Sequence, residues 1–264
     1  MRKYLLVIRN IFQEHFIYRV SFVMWRFRSV LGLLTGYFLI KAIFSQGRII
    51  YGYDLERILT YIFSVSVLRA IIFSSRTIDL AGVIQSGDLT NILIKPISTI
   101  KFWFSRDLAD KVLNIVFSLL ELILIIYLMK PPFFIQLNPF YLLLFVFSIT
   151  LAVLLYFLIN YLLALIGFWT PEVWAPHFVF SILLNFFAGG LIPLDVLPKN
   201  IRFFFQLTPF PYLLFNPISI YLGKVHWLTG ASMIVVSLIW IAIFYFIIKR
   251  VWQKGLLIYQ AEGR

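Results

Sequence analysis

Long apolar runs alternate along this chain with short polar or proline-rich breaks, and the spacing of those breaks sets the predicted architecture. Runs of roughly 18 to 20 apolar residues are long enough to cross a bilayer as helices. On that measure residues 20–44, 58–78, 112–129, 138–168, 175–192 and 228–248 are predicted spans. Ahead of them, Leu5, Ile8, Phe12 and Phe16 share one helical face, with Arg9, Asn10, Gln13 and Glu14 opposite. This predicts an interfacial helix over 1–18, lying along the membrane surface. Between the fifth and sixth runs, residues 193–227 are too apolar for an ordinary loop. Pro193, Pro198, Pro209, Pro211 and Pro217 nevertheless interrupt them too often for one span. Irregular backbone at membrane depth needs cover from protein or a wet cavity, so this segment reads as a re-entrant outer hairpin. The pattern predicts an all-α integral membrane protein with six transmembrane helices, forming a single transmembrane domain over 1–264.

The longest polar break in the first half is 81–111, AGVIQSGDLTNILIKPISTIKFWFSRDLADK. Val83, Ile84, Leu89, Ile92 and Leu93 recur in it at helical steps, which predicts a short amphipathic helix after Ser86-Gly87-Asp88. Ser86 or Asp88 is the candidate cap for its start, and the step before Pro96 ends it. With no cytosolic domain elsewhere, a helix of this kind reads as a docking element for a separate soluble subunit.

Charge sets the orientation. Of the 23 Lys and Arg residues, fifteen lie within 1–28, 76–111 and 249–264. Seven (Lys41, Arg48, Arg57, Lys130, Lys199, Arg202 and Lys224) fall in the opposite set of loops. By the positive-inside rule the first set is cytosolic, which places both termini and the 81–111 loop inside the cell. The net charge of +12 is therefore topological, and a nucleic-acid partner is not expected. The lipid bilayer is the expected surrounding, in a plasma membrane and specifically a bacterial inner membrane.

Two ionisable residues fall near mid-depth in predicted spans, away from the span ends. Arg69 and Glu121 each lie ten residues from the cytosolic end of their helix, roughly 15 Å deep at 1.5 Å per residue. Such groups usually face a bundle interior or a wet path, often as a pair. An Arg69–Glu121 pair is predicted, either as a brace or as part of a substrate path. Gly32 and Gly36 form a G-x-x-x-G that permits close helix approach, within one subunit or between two.

Several chemistries have no support. The absence of cysteine removes disulfides and thiolate sites. Gly223-Lys224 is followed by Val225, and Ile218 stands where a P-loop needs its first glycine, so no ATP site of that kind is expected. His15, His177 and His226 fall in separate predicted regions, so no metal site is expected either. The chain is read as a non-enzyme that binds no cofactor of its own.

The order of features resembles a known family. An amphipathic N-terminal helix leads into six spans. Ser86-Gly87-Asp88-Leu89, Leu93 and Lys95-Pro96-Ile97-Ser98 follow span 2. Gly189-Gly190, Pro193, Leu197-Pro198 and Pro209-Phe210 precede span 6. Together these resemble the permease subunits of ABC-2 type transporters, in the small six-span branch of drug-resistance-like exporters. The resemblance implies a half-transporter that pairs with a second permease, the same chain or a homologue. Cytosolic ABC ATPase subunits would bind the ATP and Mg. It assigns coupling to Ser86, Gly87, Asp88, Leu89, Ile92, Leu93 and Lys95, and a subunit interface to Gly32, Gly36, Gly189 and Gly190. The expected activity is outward movement of an apolar or amphipathic substrate (drug, lipid or glycan-like) by alternating access. A secondary transporter or channel working through Arg69 and Glu121 is the competing expectation.

Overall fold

The computed structural model describes residues 19–44, 49 and 51–259. The predicted interfacial helix over 1–18 lies outside them. Among the described residues every regular element is helical. The longer helices are α1 (Arg19–Ile43), α2 (Leu55–Ile72), α5 (Thr99–Met129), α6 (Pro139–Ala164), α7 (Trp174–Phe187) and α10 (Trp227–Ile258). Between them lie the short α3 (Asp79–Gln85), α4 (Thr90–Leu93), α8 (Lys199–Gln206) and α9 (Phe215–Tyr221). Three segments are long and apolar enough to cross a membrane: Thr99–Met129, Pro139–Phe168 and Trp227–Ile258. The chain is a multi-pass membrane protein.

The helix ends follow local chemistry. The Asp54 side chain accepts from the Arg57 amide at 2.8 Å and starts α2. Asn138 does the same for Phe140 at 2.9 Å, with Pro139 in the first helical position of α6. Lys130 turns into the left-handed region at φ 44° and stops α5.

α6 is the central helix. Leu151, Ala152, Leu155, Tyr156, Phe157 and Ile159 on it are buried. Its neighbours are α10, α9 and α2, and α1 covers α2 from outside. One apolar core joins α2, α6 and α7 to the segment between α7 and α10. A second joins α3 to the 3-10 turn Leu165–Phe168 and the end of α10.

Four expectations change. First, the third long helix begins at Thr99 rather than 112, so the last part of the 81–111 stretch is helix and not loop. At 31 residues it is about 46 Å long, against a hydrocarbon core of about 30 Å. Second, the fifth apolar run ends its helix at Phe187 rather than 192. Gly189 follows at φ 78°, a left-handed conformation that favours glycine. Fourteen residues reach only about 21 Å, short of a full crossing. Third, the helix that ends in Lys249-Arg250 by sequence runs on to Ile258, because Gly255 packs against the Phe168 ring. Fourth, the second helix stops at Ile72, six residues before the predicted end.

The 193–227 segment folds into α8, α9 and two 3-10 turns, Leu194–Val196 and Phe210–Tyr212. Leu213, Leu214, Phe215, Ile218 and Ile220 there are fully or almost fully buried.

Candidate functional site

The polar break after α2 builds a platform. α3 turns Leu80, Ala81 and Ile84 inward. It seats on the 3-10 turn so closely that a Cβ at Gly167 would lie 3.1 Å from the Ala81 carbonyl oxygen. Gln85 extends across to the chain beyond that turn, its Nε2 donating to the Pro171 carbonyl at 2.9 Å. The loop from α3 to α4 turns at Gly87, φ 81°. Tyr259, just past α10, clamps it: its hydroxyl donates to the Gly87 carbonyl at 2.5 Å and accepts from the Thr90 amide at 3.2 Å.

This geometry redistributes the predicted coupling residues. Neither Ser86 nor Asp88 caps the start of a helix; Ser86 closes the end of α3. They bond each other, Ser86 Oγ to Asp88 Oδ2 at 2.7 Å, and Asp88 also accepts from the Asn91 side chain. The amphipathic helix expected after them shrinks to the four residues of α4, and the seven of α3 lie ahead of them. Leu89 is fully buried beneath the loop, so it anchors the platform and is not on its face. Ile92 is half-buried. Ser86, Asp88 and Asn91 are exposed and polar, and the exposed apolar tip is Leu93 at 41% and Ile94 at 75%, followed by exposed Lys95 and Pro96. Ile94 went unnoticed in the sequence because helical spacing from Leu89 and Ile92 passes over it.

The intramembrane charges are also rearranged. Glu121 pairs with Arg26 of α1 at 3.3 Å, not with Arg69. Arg26 further donates to the Asn114 side chain. Arg69 reaches in the other direction and donates to Asn185 Oδ1 of α7 at 2.7 Å. The two predicted partners sit on helices that do pack, but each finds a nearer polar group on a third helix.

On α5 the polar positions Asp107, Lys111, Asn114, Ser118 and Glu121 recur at steps of four and three, a single face turned toward α1 and α2. Lys111 was read from sequence as a cytosolic marker of the loop. It is in fact 3% exposed, paired with the fully buried Asp107 at 3.3 Å. It also donates to the carbonyls of Ile71, Ile72 and Ser74, satisfying the open C-terminus of α2. Arg76 completes the cluster, its Nε 3.3 Å from Asp110 and its backbone amide donating to Asp107.

The predicted interface glycines mostly serve their own chain. Gly36 faces Ile62 of α2, and Gly189 faces Tyr61, whose hydroxyl donates to the Gly189 carbonyl at 2.6 Å. A Cβ at Gly190 would overlap the Arg69 guanidinium. Gly32 alone of the four has open space before it.

Opposite the platform, Asp195 gathers Lys224 at 2.7 Å and the Tyr53 hydroxyl at 3.0 Å. Burial first, and then the Asp195 charge, push the Tyr53 hydroxyl far above the ordinary tyrosine range, so it stays a donor.

A platform of short helices thus lies at one end of an apolar bundle, and a proline-broken segment of short helices precedes the last helix. Residues 30–263 match a family model described as ABC-2 family transporter protein. The chain belongs to the ABC-2 transporter family. No curated protein matches it. ABC-2 permeases are the membrane component of their transporters, are generally non-catalytic and generally work with cytosolic ATPase subunits. For this ABC-2 protein the sequence reading missed Tyr259, Gly167 and Gly255, which hold the platform together. A glycine in each of two otherwise apolar helix ends was the available signal for the last two.

Proposed function

We propose that this chain is the permease half of an ATP-driven exporter, with six spans, both termini in the cytosol and residence in a bacterial inner membrane. The outer hairpin is re-entrant: α7 climbs part-way through the bilayer and residues 188–222 return to the outer face. A cytosolic ABC ATPase docks on Leu93, Ile94, Lys95 and Pro96. Two permease copies, or this chain and a homologue, complete the transporter around a shared path. ATP and Mg belong to the ATPase.

The observation that carries this reading is the exposed apolar tip on an otherwise anchored platform. Ile94 is 75% exposed beside a fully buried Leu89. An isoleucine held out this way on a braced loop fits a pocket in a partner. In the proposed cycle, ATP closes the cassette dimer and draws two platforms together. The braced α3–α4 unit passes that movement to α10 through Tyr259 and to α6 through the 3-10 turn. The outer hairpins then part and an amphipathic substrate leaves outward.

Mild-detergent purification of the tagged chain from its native membrane tests this, with the companions identified by mass. A stoichiometric P-loop ATPase that is lost with Ile94→Asp is the expected result. A chain that purifies alone under conditions preserving other membrane complexes would overturn it.

A further inference from the structure

Arg69 differs from every other basic group buried with it. Glu121, Asp107, Asp110 and Asp195 each have a basic partner within 3.3 Å. Among the described residues, Arg69 has no carboxylate within ion-pair distance. Its one hydrogen bond goes to a neutral amide, Asn185 Oδ1 at 2.7 Å, and its buried Nε has no partner. A guanidinium carries five donors and does not lose its charge, so a cation at this depth requires an anion. The nearby Tyr61 hydroxyl cannot supply one, since it donates to Gly189.

The surroundings hold the guanidinium in place. Asn185 is itself fixed, its Nδ2 donating to the Ser181 carbonyl at 2.8 Å, which aims its oxygen at Arg69. Gly190 lies against the guanidinium where any side chain would overlap it. Ile182 and Phe186, on either side of Asn185 along α7, are exposed and apolar. Arg69 as a whole is neither fully buried nor exposed, with its Nε enclosed, and through Asn185 it meets an exposed apolar stretch of α7.

We propose that Arg69, oriented by Asn185 and Gly190, binds the anionic headgroup of an amphiphile whose apolar body lies along Ile182 and Phe186. This rests on the permease reading and gives its substrate a charge: phosphate- or carboxylate-bearing, with an apolar body. A bidentate guanidinium suits the planar oxygens of such a group. The same chemistry is offered by a bilayer lipid and by a transported anionic amphiphile.

Native mass spectrometry of the full chain, released from neutral detergent, separates the two sources. The probes are phosphatidylglycerol against phosphatidylcholine, and dodecyl phosphate against dodecanol. The anionic member of at least one pair is held roughly tenfold more tightly than its neutral match. Preference for phosphatidylglycerol identifies a lipid headgroup, and preference for dodecyl phosphate alone identifies a transported amphiphile. Arg69→Gln removes the preference. Because that variant leaves Asn185 unpaired, Asn185→Asp is the companion test. It sets a carboxylate against Arg69 in the same shape, supplies the missing anion internally and abolishes the preference in a folded chain. Equal retention of charged and neutral probes by the wild type, or an unchanged preference in Asn185→Asp, overturns the proposal. No ATPase enters this measurement, so its failure is distinct from a failure to co-purify one.

Discussion

Leu89 and Ile94 lie five residues apart in the same polar break, and the structure gives their removal opposite consequences. Leu89 is fully buried with Leu80, Ile84, Leu165 and Phe168 in the second core. Leu89→Ala deletes buried carbons from a site closed by Tyr259 and the 3-10 turn, where little can collapse inward. Such truncations cost about 2–5 kcal/mol, with the upper half expected where the surroundings are braced. For a chain of 264 residues that corresponds to a loss of roughly 4–10 °C in melting temperature. Ile94 is three-quarters exposed, so Ile94→Ala changes stability by no more than about 0.5 kcal/mol. An apolar anchor seated in a partner's pocket is another matter, since losing it costs about 2 kcal/mol or more of binding, a factor of about 30 in affinity.

The assay is paired. Thermal unfolding followed by size-exclusion of the detergent-solubilised chain reads stability. Transport-stimulated ATP hydrolysis in vesicles holding permease and ATPase reads coupling. Leu89→Ala is expected to lower the melting temperature and to reduce coupling only as far as folded protein is lost. Ile94→Ala is expected to leave melting unchanged and to depress stimulation. If Ile94→Ala hydrolysed and transported as the wild type while Leu89→Ala uncoupled without destabilising, the inside–outside assignment of this loop would be refuted.

The other predictions concern the braces. Lys111→Met strands the fully buried Asp107 carboxylate and the α2 carbonyls, a loss of about 3–5 kcal/mol in thermal unfolding. Adding Asp107→Asn recovers part of it, because the uncompensated charge is gone. Tyr259→Phe removes the three hydrogen bonds that clamp Gly87 and the amide and hydroxyl of Thr90, each worth about 1 kcal/mol. Faster amide hydrogen exchange over 86–91 with exchange in α6 unchanged is the expected signature. Tyr53 gives a pH dependence. Its hydroxyl is pushed up in the folded chain, so the folded form keeps a proton that the unfolded form loses above about pH 10. Its contribution is fully present below that pH and falls away as pH rises further. Melting temperature measured from pH 8 to 11 is expected to fall more steeply in the wild type than in Tyr53→Phe.

Much of this architecture is written in apolar periodicity, and what is missing from the sequence has identifiable physical causes. Long apolar runs gave the positions of α1, α2, α5, α6 and α10 because a bilayer-length helix needs little else to specify it. The boundaries missed at 99, 187 and 258 have separate causes. The start at 99 follows extended Ser98, the stop at 187 precedes left-handed Gly189, and only the run to 258 goes with a tertiary contact, Gly255 against the Phe168 ring. The 81–111 break is legible as a polar interruption, yet the burial of Leu89 is not, since a helical wheel has no knowledge of a tyrosine arriving from residue 259. Arg69 and Glu121 stood out as intramembrane charges, but their partners did not. An apolar sequence offers no means of ranking Arg26, Asn114 and Asn185 against one another without the helix rotations.

The polar face of α5 carries the most instructive omission. Asp107, Lys111, Asn114, Ser118 and Glu121 follow the four–three spacing normally sought in apolar residues on a polar helix, here inverted on an apolar one. Read that way, the stripe predicts which side of α5 is covered by protein, and α1 and α2 are found there through Arg26 and the Lys111-bound carbonyls. The inversion also explains why Lys111 misleads as a topology marker. A lysine whose ammonium donates to three carbonyls at and just past the end of α2 and pairs with a carboxylate has exchanged hydration for protein ligands, so it reports packing rather than sidedness. The same group adds a further tie between the platform and the bundle, beside Tyr259 and the 3-10 turn. The segment between α2 and α3 is tied to α5 by Lys111, Asp107 and Arg76. In the proposed cycle a push on α4 loads that tie, so the stability of Lys111 variants and their coupling are expected to change together.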